Sequence, residues 1–359
     1  PQASLRSRQP PCRGRHQRTG KARSAVSAGR RAHAACDWRL LGEWRITNDE
    51  STRVMGILIL EQALNGLQFG LMLFLLAAGL TLVFGIMDMI NLAHGSLYMV
   101  GAYLIATVTL ASDSFLVGLG VGIVGTAIFG MLLEMTILRR LYQRDHLSQV
   151  LGTFAILLMC NEAVRMIWGA QPVLLNTPDA LSGPVELLPG FQYSAFRLLI
   201  IVVGLAVALL LYLGVTRTRV GMQVRAGASN REMALAMGVN VQRLFTLVFG
   251  LGAALCAVAG GMLGPLLSVQ VGMGESILIL AFVVIVIGGI GSIRGALMGA
   301  LLVGVVDTAG RTLVPMVLEG LFGPAVASNA GAAIASILIY VLMAMVLFWK
   351  PQGLFPAHG

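Results

Sequence analysis

Charge is scarce in this 359-residue chain. Only 11% of its residues are Asp, Glu, Lys or Arg, against about 25% in soluble domains. Lysine occurs at Lys21 and Lys350 alone. Neither stands in a GxxxxGK[ST] loop, whose backbone N–H groups and lysine would wrap the phosphates of a nucleotide. Arg15 occupies the place where a loop around Lys21 needs its first glycine, and Pro351 follows Lys350. HExxH and GxSxG are also missing, so hydrolytic chemistry has no constellation to stand on. The cysteines, Cys12, Cys36, Cys160 and Cys256, include no CxxC pair. That excludes a disulfide scaffold and a cysteine metal site. Cys160 and Cys256 lie in apolar runs and read as small apolar residues. The chain is expected to have no catalytic residue, no metal ligand and no cofactor of its own.

What it has instead is apolar sequence. Hydrophobic residues make up 57% of it, with 44 glycines, and the mean hydropathy is +0.84. A bilayer core takes about 20 apolar residues per helix. Nine runs approach that length: 63–84, 92–111, 115–138, 147–167, 195–215, 243–264, 275–290, 295–310 and 330–348. The fold class is therefore an all-α polytopic transmembrane bundle of about nine spans, within a range of eight to ten. The runs 275–290 and 295–310 are short, so one of them is a candidate broken or re-entrant segment.

The formal net charge of +9 suggests an anionic partner until it is located. Residues 1–54 hold twelve Arg/Lys and four acids, and residues 55–359 hold thirteen and twelve. The charge thus belongs to the first 54 residues, which lack apolar periodicity and the apolar h-region of a secretory signal. The favoured expectation is a mis-assigned start, with translation beginning at Met55 and 1–54 disordered. A transit-type or basic regulatory extension ranks next. An RNA-binding arm ranks last, since Trp38 and Trp44 are the only aromatics there. Residues 55–359 form the permeating domain, with lipid and no nucleic acid as its surroundings.

Loop charge sets the orientation. Arg139, Arg140 and Arg144 mark 139–146 as cytoplasmic, and Arg217, Arg219, Arg225, Arg231 and Arg243 mark 216–243 likewise. The loop 169–194 has no Lys or Arg but has Asp179, Glu186 and four prolines, so it reads as external. Alternation puts the C-terminus in the cytoplasm and residue 55 outside. A +8 segment there contradicts the positive-inside rule, a second argument against it.

Three segments carry function. In GLTLVFGIMDMINLAHGSLYMVGAY (79–103), Asp88, Asn91 and His94 interrupt apolar sequence. Polar groups at membrane depth are costly and usually face a cavity or the bundle interior. Asn91, His94 and Gly95 are candidates for a translocation pathway or a broken-helix corner; a hydrogen-bonded turn capped by Asn91 fits equally well. In GMQVRAGASNREMALAMGVNVQRL (221–244), Ser229 and Glu232 form a capping box and Gly238 a helix stop. Between them lies a short helix with Met233, Ala234 and Met237 as its apolar stripe. It is too short to be stable alone and is expected to dock on its own bundle or, preferentially, in a partner's cleft. In VVIVIGGIGSIRGALMGALLVG (283–304), Gly288, Gly289, Gly291 and Ser292 mark a helix break and further pathway candidates.

Gly66/Gly70, Gly118/Gly122 and Gly260/Gly264 have GxxxG spacing, and Gly291, Gly295 and Gly299 form a ladder. All read mainly as helix packing. Glu134, Glu162 and Asp307 sit in or beside spans as pathway or intrabundle pairing candidates, with Glu162 expected to pair with Arg165.

With LFWKPQGLFP (347–356), these segments resemble the permease subunit of ABC importers for branched-chain amino acids, from Met55 to Phe355. RAGASNREMALAMGVNVQRL resembles that family's coupling loop, with Ser229 where members often carry Asp or Gln. The resemblance implies a second homologous permease subunit, two cytosolic ATPases that use the ATP, and a periplasmic substrate-binding protein. It implies an inner-membrane location. It assigns Arg225, Asn230, Glu232, Ala234, Met237 and Gly238 to ATPase coupling. A urea or short-amide importer of the same fold is the alternative. An ion-coupled secondary transporter is a weaker one, needing Glu134 or Asp307 as its coupling carboxylate. A membrane enzyme is weaker still.

Overall fold

The computed structural model describes residues 25–188 and 191–355, with side chains from residue 55 onward apart from a few positions. Residues up to 57 and residues 58–359 form separate compact units. In the first, the described backbone is the beginning of helix α1 (Ala25–Met87). The stretch 25–54, for which composition suggests disorder, is thus helical. It holds no proline and many alanines and arginines, which are strong helix formers. The expectation for residues 1–24 lies outside the described residues.

The second unit is a helical bundle. After α1 come α2 (His94–Ser112), α3 (Phe115–Leu141) and α4 (His146–Trp168). A short hairpin, β1 (Pro184–Leu188) and β2 (Phe191–Ser194), leads into α5 (Ala195–Arg217). Two short helices follow, α6 (Arg219–Ser229) and α7 (Arg231–Ala236). The chain then builds α8 (Val241–Leu267), α9 (Met273–Gly288), α10 (Ile293–Phe322) and α11 (Pro324–Trp349). Among the described residues, eight helices are long and apolar enough to cross a membrane. Helix α9, with 16 residues, is shorter. The protein is an all-α polytopic bundle, as the hydropathy pattern requires. One expectation is corrected: the run 295–310 is not short, but the first half of a 30-residue helix that continues through a polar turn to Phe322.

Helix α1 and helix α8 form the centre. From Leu71 to Leu80 every residue of α1 is buried. Close backbone approach makes this possible, because in lipid no hydrophobic effect pulls helices together and dispersion between closely packed backbones must do so. Gly66 and Gly70 lie against Gly304 and Ala300 of α10, where a Cβ on either α1 glycine would come within 2.8 Å of the facing backbone. The GxxxG spacing here is packing.

Hydrogen bonds anchor the described residues of the 169–194 loop. Val173 and Val269 exchange two backbone hydrogen bonds, 2.8 and 3.0 Å, which tie it to the segment after α8. The Tyr193 hydroxyl donates to Asn65 Oδ1 of α1 at 3.0 Å.

Near its end α3 loosens into a π-helical stretch, Glu134–Leu138. The fully buried Glu134 carboxylate accepts from Thr246 Oγ1 at 2.6 Å, Tyr142 Oη at 3.0 Å and Arg139 Nη2 at 3.3 Å. Burial, and then the carboxylate itself, push the Tyr142 phenol well above its ordinary range, so it stays a donor at physiological pH. Tyr142→Phe removes one of three donors. It is expected to destabilise the protein by about 1 kcal/mol, read as a melting temperature in detergent lowered by roughly 2–4 °C.

Candidate functional site

The loop between α5 and α8 is built by local hydrogen bonds. Thr218 caps α6, accepting from Gly221 N at 3.0 Å. The Arg225 guanidinium donates to Val215 O, one of the carbonyls left unpaired at the end of α5. Asn230 stops α6 and starts α7: its backbone is extended (φ −153°, ψ 104°), and its Oδ1 accepts from Met233 N at 2.9 Å. The cap is therefore Asn230 rather than Ser229, which is the last residue of α6. With the cap shifted by one residue, Met233 takes the third helical position. Glu232 cannot close the reciprocal box, and the helix shrinks to six residues. Its C-terminus is a Schellman motif: Val239 N bonds Ala234 O and Gly238 N bonds Leu235 O, both at 3.0 Å. Gly238 sits at φ +83°, a conformation that glycine adopts without Cβ strain.

The apolar stripe then splits. Ala234 is buried, and the Arg231 guanidinium lies 4.9 Å from the centre of the Phe245 ring on α8. These two seat the helix. Met233, Leu235 and Met237 are exposed, Met237 at 79%. Met233 and Met237, four residues apart, share the outward side of this helix and its C-cap, and Leu235 is exposed on another side, so the short helix is an apolar, polarisable knob of the kind that fits a partner's groove.

At the 88–93 corner Asp88 adopts φ +51°, and Asn91 Oδ1 accepts from Ala93 N at 3.1 Å, fastening the start of α2. Asn91 and His94 are fully buried. Among the described residues the Asn91 Nδ2 has no hydrogen-bond partner. The imidazole fills a slot between Gly79 and Gly252, edge-on to Phe249 at 6.5 Å. Gly95 is a crossing point: a Cβ there would lie 2.5 Å from Gly274 O of α9.

The glycine break between α9 and α10 is also tightly packed. Gly289 (φ +104°) and Gly291 (φ +81°) turn the chain, and Ser292 caps α10 by accepting from Gly295 N at 3.1 Å. Gly288 and Gly295 face each other so closely that a Cβ on either would lie within 2.3 Å of the other's carbonyl oxygen. The end of the chain closes over this turn: Leu354 N bonds Ile287 O and Phe355 N bonds Gly288 O, both at 2.9 Å.

Two of the cavities border α1 at different levels. One, about 490 Å³, is lined by Thr81, Gly85, Arg225, Ser229, Gly291 and Ser292, among others. It lies directly beside the α6–α7 loop. The Arg294 guanidinium bridges its rim to the Tyr212 ring of α5 at 5.7 Å. The other, about 640 Å³, is lined by Gln62, Asn65 and Gln68 of α1, together with residues of α2, α5, α8, α9 and α10. The buried run Leu71–Leu80 separates them along α1.

This architecture can be compared with known proteins. A family profile described as "Branched-chain amino acid transport system / permease component" matches residues 62–347. The chain belongs to this family. The permease is 32% identical over 307 residues to the high-affinity branched-chain amino acid transport permease BraD of Pseudomonas aeruginosa, covering 82% of this chain and 95% of the relative. It is 30% identical over 268 residues to LivH of Escherichia coli, covering 69% and 84%. It is 29% identical over 296 residues to a probable LivH of Methanocaldococcus jannaschii, covering 79% and 88%. It is thus a multi-pass membrane transport subunit of a class that carries out no enzymatic step itself.

The permease brings Arg225, Asn230, Glu232, Ala234, Met237 and Gly238 together on one loop, but in different parts. Arg225, Asn230 and Gly238 shape it, Ala234 anchors it, and Met237 is presented outward. Leu235, outside the stripe read from the sequence, is exposed as well. Of the pathway candidates, Gly291 and Ser292 border a cavity. Asn91, His94, Gly95, Gly288 and Gly289 are packed into the bundle. The Glu162–Arg165 pair forms at 3.2 Å. The polar residues of the larger cavity on α1 went unread, although Gln62, Asn65 and Gln68 recur every three residues and so share one helix face.

Proposed function

We propose that the permease is the membrane-spanning subunit of an ATP-driven importer for branched-chain or related hydrophobic amino acids in the bacterial inner membrane. ATP is bound and hydrolysed by two separate cytosolic subunits, and this chain holds no cofactor. A second homologous permease subunit completes the channel, and a periplasmic binding protein delivers the substrate. The C-terminus and the α6–α7 loop face the cytoplasm, supported by the arginines at 139–144 and 217–243.

The observation that carries this reading is the exposed apolar knob on α7, seated on α8 and joined directly to α6, whose Val224, Arg225, Ala228 and Ser229 line a cavity that the buried α1 run keeps apart from the one at Gln62–Gln68. A force applied to the knob by a partner reaches that cavity through Arg225 and Ser229, which line it. That is how a chain without nucleotide chemistry takes up work done elsewhere. A proton- or ion-coupled mechanism finds less support, since Glu134 already accepts three hydrogen bonds and Asp307 is paired with Arg311.

The test is to isolate the permease from its native membrane with its bound subunits and measure ATP hydrolysis. Binding protein loaded with leucine, isoleucine or valine is expected to stimulate it. Stimulation by urea or acetamide alone would move the assignment to the amide importers. Uptake by the permease without any ATPase would refute it.

A further inference from the structure

The larger cavity has a chemistry of its own. Within it Asp307, buried apart from 4% of its surface, holds the Arg311 guanidinium through both carboxylate oxygens, at 2.9 and 3.0 Å. Both bonds use Arg311 Nε, and among the described residues the two η nitrogens have no partner. Gln68, also 4% exposed, lines the same space with an Oε1 that no donor reaches. Arg197 adds a second guanidinium, bonded to Asn65 Oδ1 at 2.5 Å. The rest of the lining is mixed: Phe69, Leu263, Ile277 and Leu280 form an apolar patch, and Ser268, Gln270, Ser276, Thr308 and Thr312 add hydroxyl and amide groups.

A buried carboxylate and an unsatisfied amide oxygen are both costly in a helical bundle at membrane depth. Their convergence on one cavity, beside a patch of apolar wall, is the mark of a ligand site in which placed polar groups fix the ligand's orientation. The charge order specifies the ligand. A carboxylate can accept about four hydrogen bonds, so Asp307 keeps room for an ammonium while it holds Arg311. The free η nitrogens beside it form the planar fork that suits a second carboxylate. An ammonium and a carboxylate joined through one carbon are an α-amino acid. A simple cation meets two guanidiniums, and a simple anion leaves Asp307 and Gln68 Oε1 without a donor. The volume, about 640 Å³, falls in the usual ~300–1,000 Å³ of small-molecule sites.

We propose that this cavity is a binding station for an α-amino acid within the permease itself. Asp307 and Gln68 Oε1 receive its ammonium, Arg311 receives its carboxylate with Arg197 reinforcing the positive side, and Leu263, Ile277 and Leu280 receive its aliphatic side chain. The permease then reads the substrate a second time, after the delivery protein. The inference rests on the amino-acid importer reading and deepens it.

The test is direct binding of radiolabelled leucine to the purified permease–ATPase complex in lipid discs, without binding protein. Saturable binding is expected. Leucinamide, which lacks the carboxylate, and 4-methylpentanoate, which lacks the ammonium, should each compete at least about tenfold more weakly than leucine. Asp307→Asn and Gln68→Leu should each weaken leucine binding by about tenfold. Gln68→Leu keeps the protein folded, because it replaces an unsatisfied buried polar group by an apolar one of similar size, a change that is neutral or stabilising. A structural role for Gln68 predicts instead a lowered melting temperature and unchanged binding. Leucine binding unaltered by Gln68→Leu in folded protein overturns the proposal. So does a wild-type complex that takes up leucine with its delivery protein yet binds none alone. A complex that binds leucine as described but imports no amino acid sinks the importer reading and leaves the station standing.

Discussion

Met237→Glu is expected to abolish ATP-driven uptake while leaving the permease folded and inserted. Met237 is 79% exposed and Met233 61%, so a carboxylate at either position meets water in the isolated chain. In a complex it meets the apolar groove that receives the knob. An unpaired charge buried at an interface costs several kcal/mol, and each 1.4 kcal/mol is about tenfold in binding. Uptake in vesicles should fall at least about tenfold, with ATPase subunits lost on purification and the melting temperature unchanged. Ala234→Asp is the less informative variant. Ala234 is buried beneath the helix, so the change unseats α7 and damages the fold together with coupling. Full uptake by Met237→Glu would place the ATPase contact elsewhere.

Gly95→Leu is expected to leave little folded permease. A Cβ alone at Gly95 would lie 2.5 Å from Gly274 O and 3.1 Å from its carbonyl carbon. Those are backbone atoms of the facing helix, which cannot rotate away as a side chain can. The α2–α9 crossing must open, and two packed helices must separate along their length. Overpacking with a flexible neighbour already costs about 1–3 kcal/mol, and a total stability of about 5–15 kcal/mol leaves little room for more. Expression in detergent should collapse. Gly120→Leu, on an exposed face of α3 with nothing within 4 Å, should express and melt as wild type. Should Gly95→Leu fold and transport with altered selectivity, Gly95 lines a pathway after all and the packing account fails.

The two loops differ in what local sequence could tell. The α6–α7 loop is short-range chemistry, and its residues were legible as a capped helix ended at Gly238. Yet Ser229 and Asn230 are both good caps, and only the chain's path chose between them. The end of α6 leaves Asn230 extended, so its Oδ1 reaches Met233 N and the helix starts one residue late. The inward turn of Ala234 was hidden for a related reason. Met233, Ala234 and Met237 share a stripe in sequence, but which edge of it meets Phe245 depends on how α6 and α8 hold the helix. The run 79–103 announced a polar break in apolar sequence without saying whether the polar groups face a cavity or fill a slot. Glycines two helices away, Gly79 on α1 and Gly252 on α8, make the slot that His94 occupies.

Composition and periodicity alone determined that the chain is a helical membrane bundle. Apolar runs of about 20 residues have essentially one fate, because every backbone polar group in lipid must be satisfied within its own helix. Only the tertiary structure decided which polar residues converge. Gln68 and Asp307 are 239 positions apart in sequence and meet because α1 and α10 pack through Gly66, Gly70 and Gly304. Small residues permit such an approach almost anywhere, so their spacing shows that helices will touch but not which ones. The partner helix is chosen by the sum of packing across the whole bundle, a quantity that no local pattern contains.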